Sequence, residues 1–76
     1  MNKARRKSIS ELVDKLEVLK ADLEVIKDEE QEAYDNMPEG LQCSDRGIES
    51  EEAASTMDEI VDELDEMLDR LKEICD

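Results

Sequence analysis

Two stretches decide the fold: ISELVDKLEVLKADLEVI at residues 9–26 and MDEIVDELDEMLDRLKEI at residues 57–74. In the first, Ile9, Leu12, Leu16, Leu19, Leu23 and Ile26 step by 3, 4, 3, 4, 3. Met57, Ile60, Leu64, Met67, Leu71 and Ile74 repeat those steps in the second. An α-helix turns once every 3.6 residues, so this spacing lines one side of a helix with apolar groups. It is a heptad with Ile9, Leu16 and Leu23 at a, and Leu12, Leu19 and Ile26 at d. Glu30 interrupts the next a position before Ala33 and Met37 resume the pattern. Ala53 extends the second stretch backwards. Val61, Leu68 and Cys75 fill its e positions, a stripe wider than a two-stranded seam requires.

The ends of both helices carry signals of their own. Ser8 and Glu11 form an S-x-x-E capping box ahead of the first run, although nothing from Lys3 to Lys7 prevents an earlier start. Arg70 and Lys72 sit in the last turn of the second run, where cations suit the helix dipole. Between the runs, Pro38 drives Met37 away from helical geometry and Gly40 offers a flexible turn. Ser44 is the best N-cap for the second helix, with Ser50 the fallback. A connection this short makes the helices neighbours running in opposite directions. The sequence therefore predicts an all-α fold, a single two-helix antiparallel coiled-coil hairpin. Its first helix covers about 3–36, its loop about 37–44 and its second helix about 45–75.

A single seam buries too little apolar area to offset the ordering of 76 residues. Val18 and Val25, at c on the first helix with Ala21 between them, and Val61 and Leu68 on the second, form a candidate dimer interface. Two hairpins joined there give a four-helix bundle, so a homodimer is expected. A different protein on the same rails is the alternative.

Composition narrows the function. Charged residues make up 45% of the chain, and Tyr34 is the only aromatic. The net charge is −14; Lys3, Arg5, Arg6 and Lys7 carry +4, which leaves −18 on residues 8–76. So acidic a body repels a phosphate backbone, and no direct nucleic-acid contact is expected. Without histidine there is no Ser-His-Asp or Cys-His arrangement, no HExxH zinc site and no di-iron ExxH pair. Paired carboxylates need a cleft for glycosidase-type chemistry, and a hairpin has none. Asp28-Glu29-Glu30 lacks the glycine and alternation of a calcium loop. The expectation is no enzyme, no cofactor, no metal and no small-molecule ligand. Cys43 and Cys75 fall about 45 Å apart at opposite ends of one helix, beyond any disulfide. With no apolar leader or membrane-length run, a soluble, reduced, cytoplasmic protein is expected.

Two features suit a protein partner. Asp58, Asp62, Asp65, Asp69, Glu73 and Asp76 step by 4, 3, 4, 4, 3 along the second helix. Neighbours three and four apart lie about 5–6 Å from each other. That is close to the spacing of phosphates on a strand, so the row can imitate nucleic acid in the groove of a basic protein. A merely solvated face is the plain alternative. Near the turn, Tyr34, Met37, Leu41 and Cys43 either cap the end of the bundle or offer a small apolar patch, with Tyr34 as its anchor.

The stretch EEQEAYDNMPEGLQCSDRG, residues 29–47, resembles the loop region of small acidic helical proteins of unassigned function from phages and mobile elements of Gram-positive bacteria. In them the segment between two heptad helices reads much like Tyr34 to Gln42, followed by Ser44 and an acidic residue. The resemblance covers the whole chain in pattern and is specific over this loop alone. It implies a phage or mobile-element origin and a host bacterial cytoplasm as the place of action. It gives no established activity; because many small acidic phage proteins inhibit host nucleases or defence complexes, it raises the expectation of a binding module of that kind. A scaffold subunit remains a third expectation beside the module and the DNA mimic.

Overall fold

The computed structural model describes residues 1–75. It contains α1 (Lys3–Asp35), the single turn α2 (Glu39–Gln42) and α3 (Asp45–Cys75). The shape is elongated and hairpin-like, 58 × 15 × 13 Å.

α1 begins at Lys3, not at the Ser8 box. The Asn2 side chain caps it, accepting from the Arg5 amide at 2.8 Å. Asn is among the strongest N-caps, and Lys3 to Lys7 are good helix formers, so the turn before Ser8 forms. Ser8 is then an interior residue, and its hydroxyl donates to the Ala4 carbonyl at 3.1 Å. Pro38 ends the α1 segment and starts α2, its carbonyl accepting from the amides of Leu41 at 2.8 Å and Gln42 at 3.1 Å. Gly40 lies inside this helical turn, and no described glycine has a positive φ. The connection is therefore wound rather than flexible. Ser44 precedes α3, with its carbonyl accepting from Ile48 at 2.9 Å and its hydroxyl from the Gly47 amide at 3.4 Å.

Cross-helix contacts fix how the long helices meet. Glu17 pairs with Lys72, Lys20 with Asp65, Lys27 with Asp58, and Glu30 with Ser50. As the number rises along α1 it falls along α3. At the open end, the Cys75 thiol lies 3.6 Å from the Arg6 carbonyl.

The roll of the helices differs from the expected a/d seam. On α3 the residues turned inward are Gly47, Ser50, Ala54, Met57, Val61, Leu64, Leu68, Leu71 and Cys75, an unbroken 3, 4 alternation. These are the a and e positions. Val61 is 6% exposed and Leu68 3%, so both belong to the core within the chain and cannot serve as a rail for a second one. On α1 the inward row is likewise a and e, and Val13 is its one buried residue. The d residues Leu12, Leu19, Ile26, Ile60, Met67 and Ile74 are left exposed.

The core is correspondingly thin. Buried hydrophobic side chains are Val13, Ala54, Val61 and Leu68, and none of the larger ones is fully enclosed. The surface of 5810 Å² exceeds the roughly 4,700 Å² expected of a compact monomer of this mass. The excess is the cost of an open apolar side.

Gly47 shows how tightly the connection is wound. A Cβ there would lie 2.4 Å from the carbonyl oxygens of Leu41 and Gln42. Around Gly40 there is nothing within 4 Å. Replacing a helical glycine by alanine ordinarily stabilises by about 0.5–1 kcal/mol. Gly47→Ala should invert that sign and destabilise by about 1–3 kcal/mol, because backbone must move. Gly40→Ala should keep the ordinary sign. Thermal melts followed by helical circular dichroism check both.

Candidate protein-binding faces

The heptad positions give the hairpin two unlike sides. With a and e turned inward, b lies to one side of the seam and d to the other. With rising numbers on α1 paired to falling numbers on α3, the d rows of both project on the same side. Residues lining the surface grooves agree. Ala33, Met37, Ser50 and Ala53 line one groove of about 410 Å³, whereas Lys27, Tyr34, Ala54 and Asp58 line a separate one.

The b/e side is polar and already satisfied. Lys20 and Lys27 occupy e on α1, where their stems lie along the seam and their ammonium groups reach out to b carboxylates of α3. Lys20 pairs with Asp65, Lys27 with Asp58 at 3.3 Å, and Lys72 with Glu17 at 2.7 Å. Hydrogen bonds to those carboxylates raise all three lysines above their ordinary pKa. Asp58 and Asp65, two of the five described carboxylates in the candidate phosphate-like row, are thus drawn back onto α1. Asp62, Asp69 and Glu73 remain exposed, and among the described residues none of them forms an ion pair. Asp76, the last of the row, lies outside the described residues.

One polar contact stands inside the seam. The buried Ser50 hydroxyl donates to Glu30 at 2.6 Å. Glu30, the residue that breaks the apolar pattern of α1, therefore has a partner on α3 and marks one register of the two helices. The sequence offered Ser50 only as a cap, and a serine at an a position opposite a glutamate at a was the signal to be found.

The loop residues do not assemble into one patch. Tyr34, at e, is half-buried on the polar side beside Ala54, whose small side chain leaves room for the ring. Met37, at a, borders the groove on the other side. Leu41 and Cys43 are exposed on the connection itself. The Gln42 amide donates to the Tyr34 carbonyl at 3.0 Å, tying α2 back to α1.

The d side is apolar, and its large side chains are exposed among the described residues. Leu12, Leu19 and Ile26 form one row, and Ile60, Met67 and Ile74 the other. The register of the ion pairs sets Leu12 level with Ile74, Leu19 with Met67 and Ile26 with Ile60. Ala33 and Ala53 continue the rows toward the connection. Met67, Arg70, Leu71, Glu73 and Ile74 line a groove of about 430 Å³ along it. Val18 and Val25 are also exposed, but at c, about 100° round α1 from this row. No described helix is long and apolar enough to cross a membrane.

Burial raises the Tyr34 phenol above its ordinary pKa, and a hydrogen bond to the Glu51 carboxylate adds to the shift. As the only tyrosine, it gives an unambiguous ultraviolet titration, whose midpoint should lie above 10 and fall in Glu51→Gln. A raised folded pKa contributes stability that is complete below the unfolded value and disappears as pH climbs through the folded one. The three lysines have the same sign. Alkaline loss of helix should therefore begin above pH 10, and a midpoint near neutrality would contradict these contacts.

No protein-family model, curated protein or solved structure matches the chain.

Proposed function

We propose that the chain is a non-enzymatic protein–protein interaction module, an antiparallel helical hairpin that dimerises into a four-helix bundle. One observation carries this reading: six large apolar side chains at d, with Leu19 61% and Met67 52% exposed, form a two-rowed face. Each is worth about 1.5–3 kcal/mol on full burial, so water is a costly neighbour for all six. Contiguous exposed apolar surface rimmed by charge is a feature of interaction sites. The bundle then presents its acidic exterior and its connection ends to a further protein in the cytoplasm of a bacterial host. The likeness of residues 29–47 to phage and mobile-element proteins favours a host target and an inhibitory outcome.

A second reading has its own support. α3 carries twelve acidic residues against three basic ones, and Asp62, Asp69 and Glu73 keep their charge exposed. These three are the better test of nucleic-acid imitation, because neutralising Asp58 or Asp65 would also loosen the hairpin. If the face engages a basic nucleic-acid-binding protein, Asp62→Asn/Asp69→Asn/Glu73→Gln should abolish capture of that protein from host lysate. Retained capture by the helical variant would end the idea.

The dimer reading is tested at Leu19 and Met67. In sedimentation the native chain should run as a dimer, and Leu19→Glu or Met67→Glu as a monomer with less helix than the native dimer, since a single seam must then hold the fold alone. Val18→Glu, on the back of α1, should leave the dimer intact. A dimer that survives Leu19→Glu and dissociates with Val18→Glu would put the interface on the other side of the helix.

A further inference from the structure

Resting on the dimer reading above, we infer that the occupant of the d face is a second copy of this chain lying in the opposite direction, its two-fold axis crossing the Leu19/Met67 level. The argument starts from the rim. Position g flanks d on the outer side of each helix, and it carries Lys15, Asp22 and Glu29 on α1 and Glu63 and Arg70 on α3. Lys15 stands level with Arg70, and Asp22 with Glu63, in the register of the ion pairs. The two sides of the face therefore show the same sequence of signs, cationic toward the open end and anionic above it.

Only two orientations bring a two-helix face against its own copy. If the copies point the same way, α1 covers α3 of the partner, and each level meets its own sign. Lys15 then faces the partner's Arg70, and Asp22 faces the partner's Glu63. If they point opposite ways, α1 covers α1 and α3 covers α3. Centred on Leu19 and Met67, this places Lys15 against the partner's Asp22 and Arg70 against the partner's Glu63. The same centre brings Leu12 and Ile74 over the partner's Ile26 and Ile60. Charge and apolar registers thus agree on one alignment without adjustment.

Two further observations support it. Lys20, Lys27 and Lys72 are bridged within the chain, whereas among the described residues Lys15 and Arg70 make no ion pair. Both cations without a partner on these rims sit where the copy would supply one. The basic tip Lys3 to Lys7 would also lie along residues 31–35 of the partner's α1, where Glu32 and Asp35 are acidic. Net charge works the other way, since this arrangement sets the two acidic α3 helices side by side. Helix axes in bundles stand about 8–10 Å apart, comparable with the screening length, so that repulsion is damped while rim pairs in contact are not.

The overlap runs along the whole of α1, about 48 Å at 1.5 Å per residue, but takes in α3 only over residues 59–75, about 25 Å. About 25 Å at the full 15 Å width, with α1 alone over the rest, makes a footprint of about 600 Å² per chain, at the lower end of stable interfaces. Met37 to Ser44 project beyond it at both ends of the bundle.

The experiment uses Cys43, which is exposed at the connection, as the site of a spin label in Cys75→Ser. Opposite orientation predicts a label separation of about 60 Å; like orientation brings the labels within about 25 Å. In parallel, Arg70→Glu faces the partner's Glu63 and should raise the dimer dissociation constant about tenfold, with Glu63→Arg/Arg70→Glu restoring it. In the like orientation the same Arg70→Glu would meet the partner's Lys15 and tighten the dimer. A short distance, or a tighter Arg70→Glu dimer, overturns the inference and leaves the interaction module standing. A native chain that stays monomeric at about 100 μM overturns both this inference and the self-association on which it rests, because an interface of this size should hold well below that concentration.

Discussion

A helix with apolar residues at three of its seven heptad positions can satisfy only two of them against one neighbour. Everything else in this chain follows from which two are used. Positions a and e close the seam between α1 and α3, and d is turned aside on both helices. The choice looks wasteful on α1, where e contributes Lys20 and Lys27 while d would have offered Leu19 and Ile26. It becomes reasonable once α3 is considered, because its e row is Ala54, Val61, Leu68 and Cys75 and admits a close approach. The lysine stems cover that row and their ends reach Asp58 and Asp65. A seam on a and d would bury more apolar area in the single chain, but it would expose Val61 and Leu68 and separate these ion pairs.

Electrostatics and packing thus act on the same degree of freedom, the roll of each helix about its own axis. α1 holds seven basic and ten acidic residues, α3 three and twelve. Such unequal helices attract most where α1 cations meet α3 anions, and the b/e side is where two such pairs form, beside the reverse pair of Glu17 with Lys72. Exposed pairs are individually weak, so their effect is to choose between rolls of similar apolar burial rather than to hold the fold. The Glu30–Ser50 contact adds a register constraint of another kind. A one-heptad slip would take Ser50 away from Glu30 and leave a half-buried carboxylate beside apolar groups, which costs more than the contact itself contributes.

Element type and extent were legible in the sequence because the 3, 4 spacing of Ile9 to Ile26 and Met57 to Ile74 admits little but helix. The roll was not. Hydropathy favours a/d on α1, since two lysines interrupt e, and an isolated reading cannot tell that their stems are apolar enough to line a seam. The widened stripe on α3 was the visible hint. Val61 and Leu68 were read as surplus to the seam and assigned to the outside, whereas they lie in its core and Ile60, Met67 and Ile74 lie outside. The early start of α1 was expected from the lack of a breaker between Lys3 and Lys7; the Asn2 cap that sets it was not named. The tight winding at Gly47 was not, since it arises from the approach of the Leu41 and Gln42 carbonyls, a contact no local pattern encodes.

Once the roll is fixed, the surfaces separate by chemistry. The b/e side is closed by ion pairs, the d side is apolar, and the f and c positions of α3 carry Asp62, Asp69, Glu59, Glu66 and Glu73 into solvent. A copy that covers the d face in the opposite direction sets one α3 beside the other, so the acidic rows of two chains adjoin along one flank of the bundle. Self-association and acidity are then not competing accounts of the chain. The proposed pairing would remove the apolar face from water and, by the same geometry, gather carboxylates that a single hairpin spreads along one narrow helix. A cationic partner would meet a broader and more uniform field on the dimer than on the monomer, and field strength over an extended surface, more than any one carboxylate, is what captures such partners. On the proposed pairing, the roll that leaves Leu19 and Met67 uncovered would therefore also be what enlarges the acidic surface of α3.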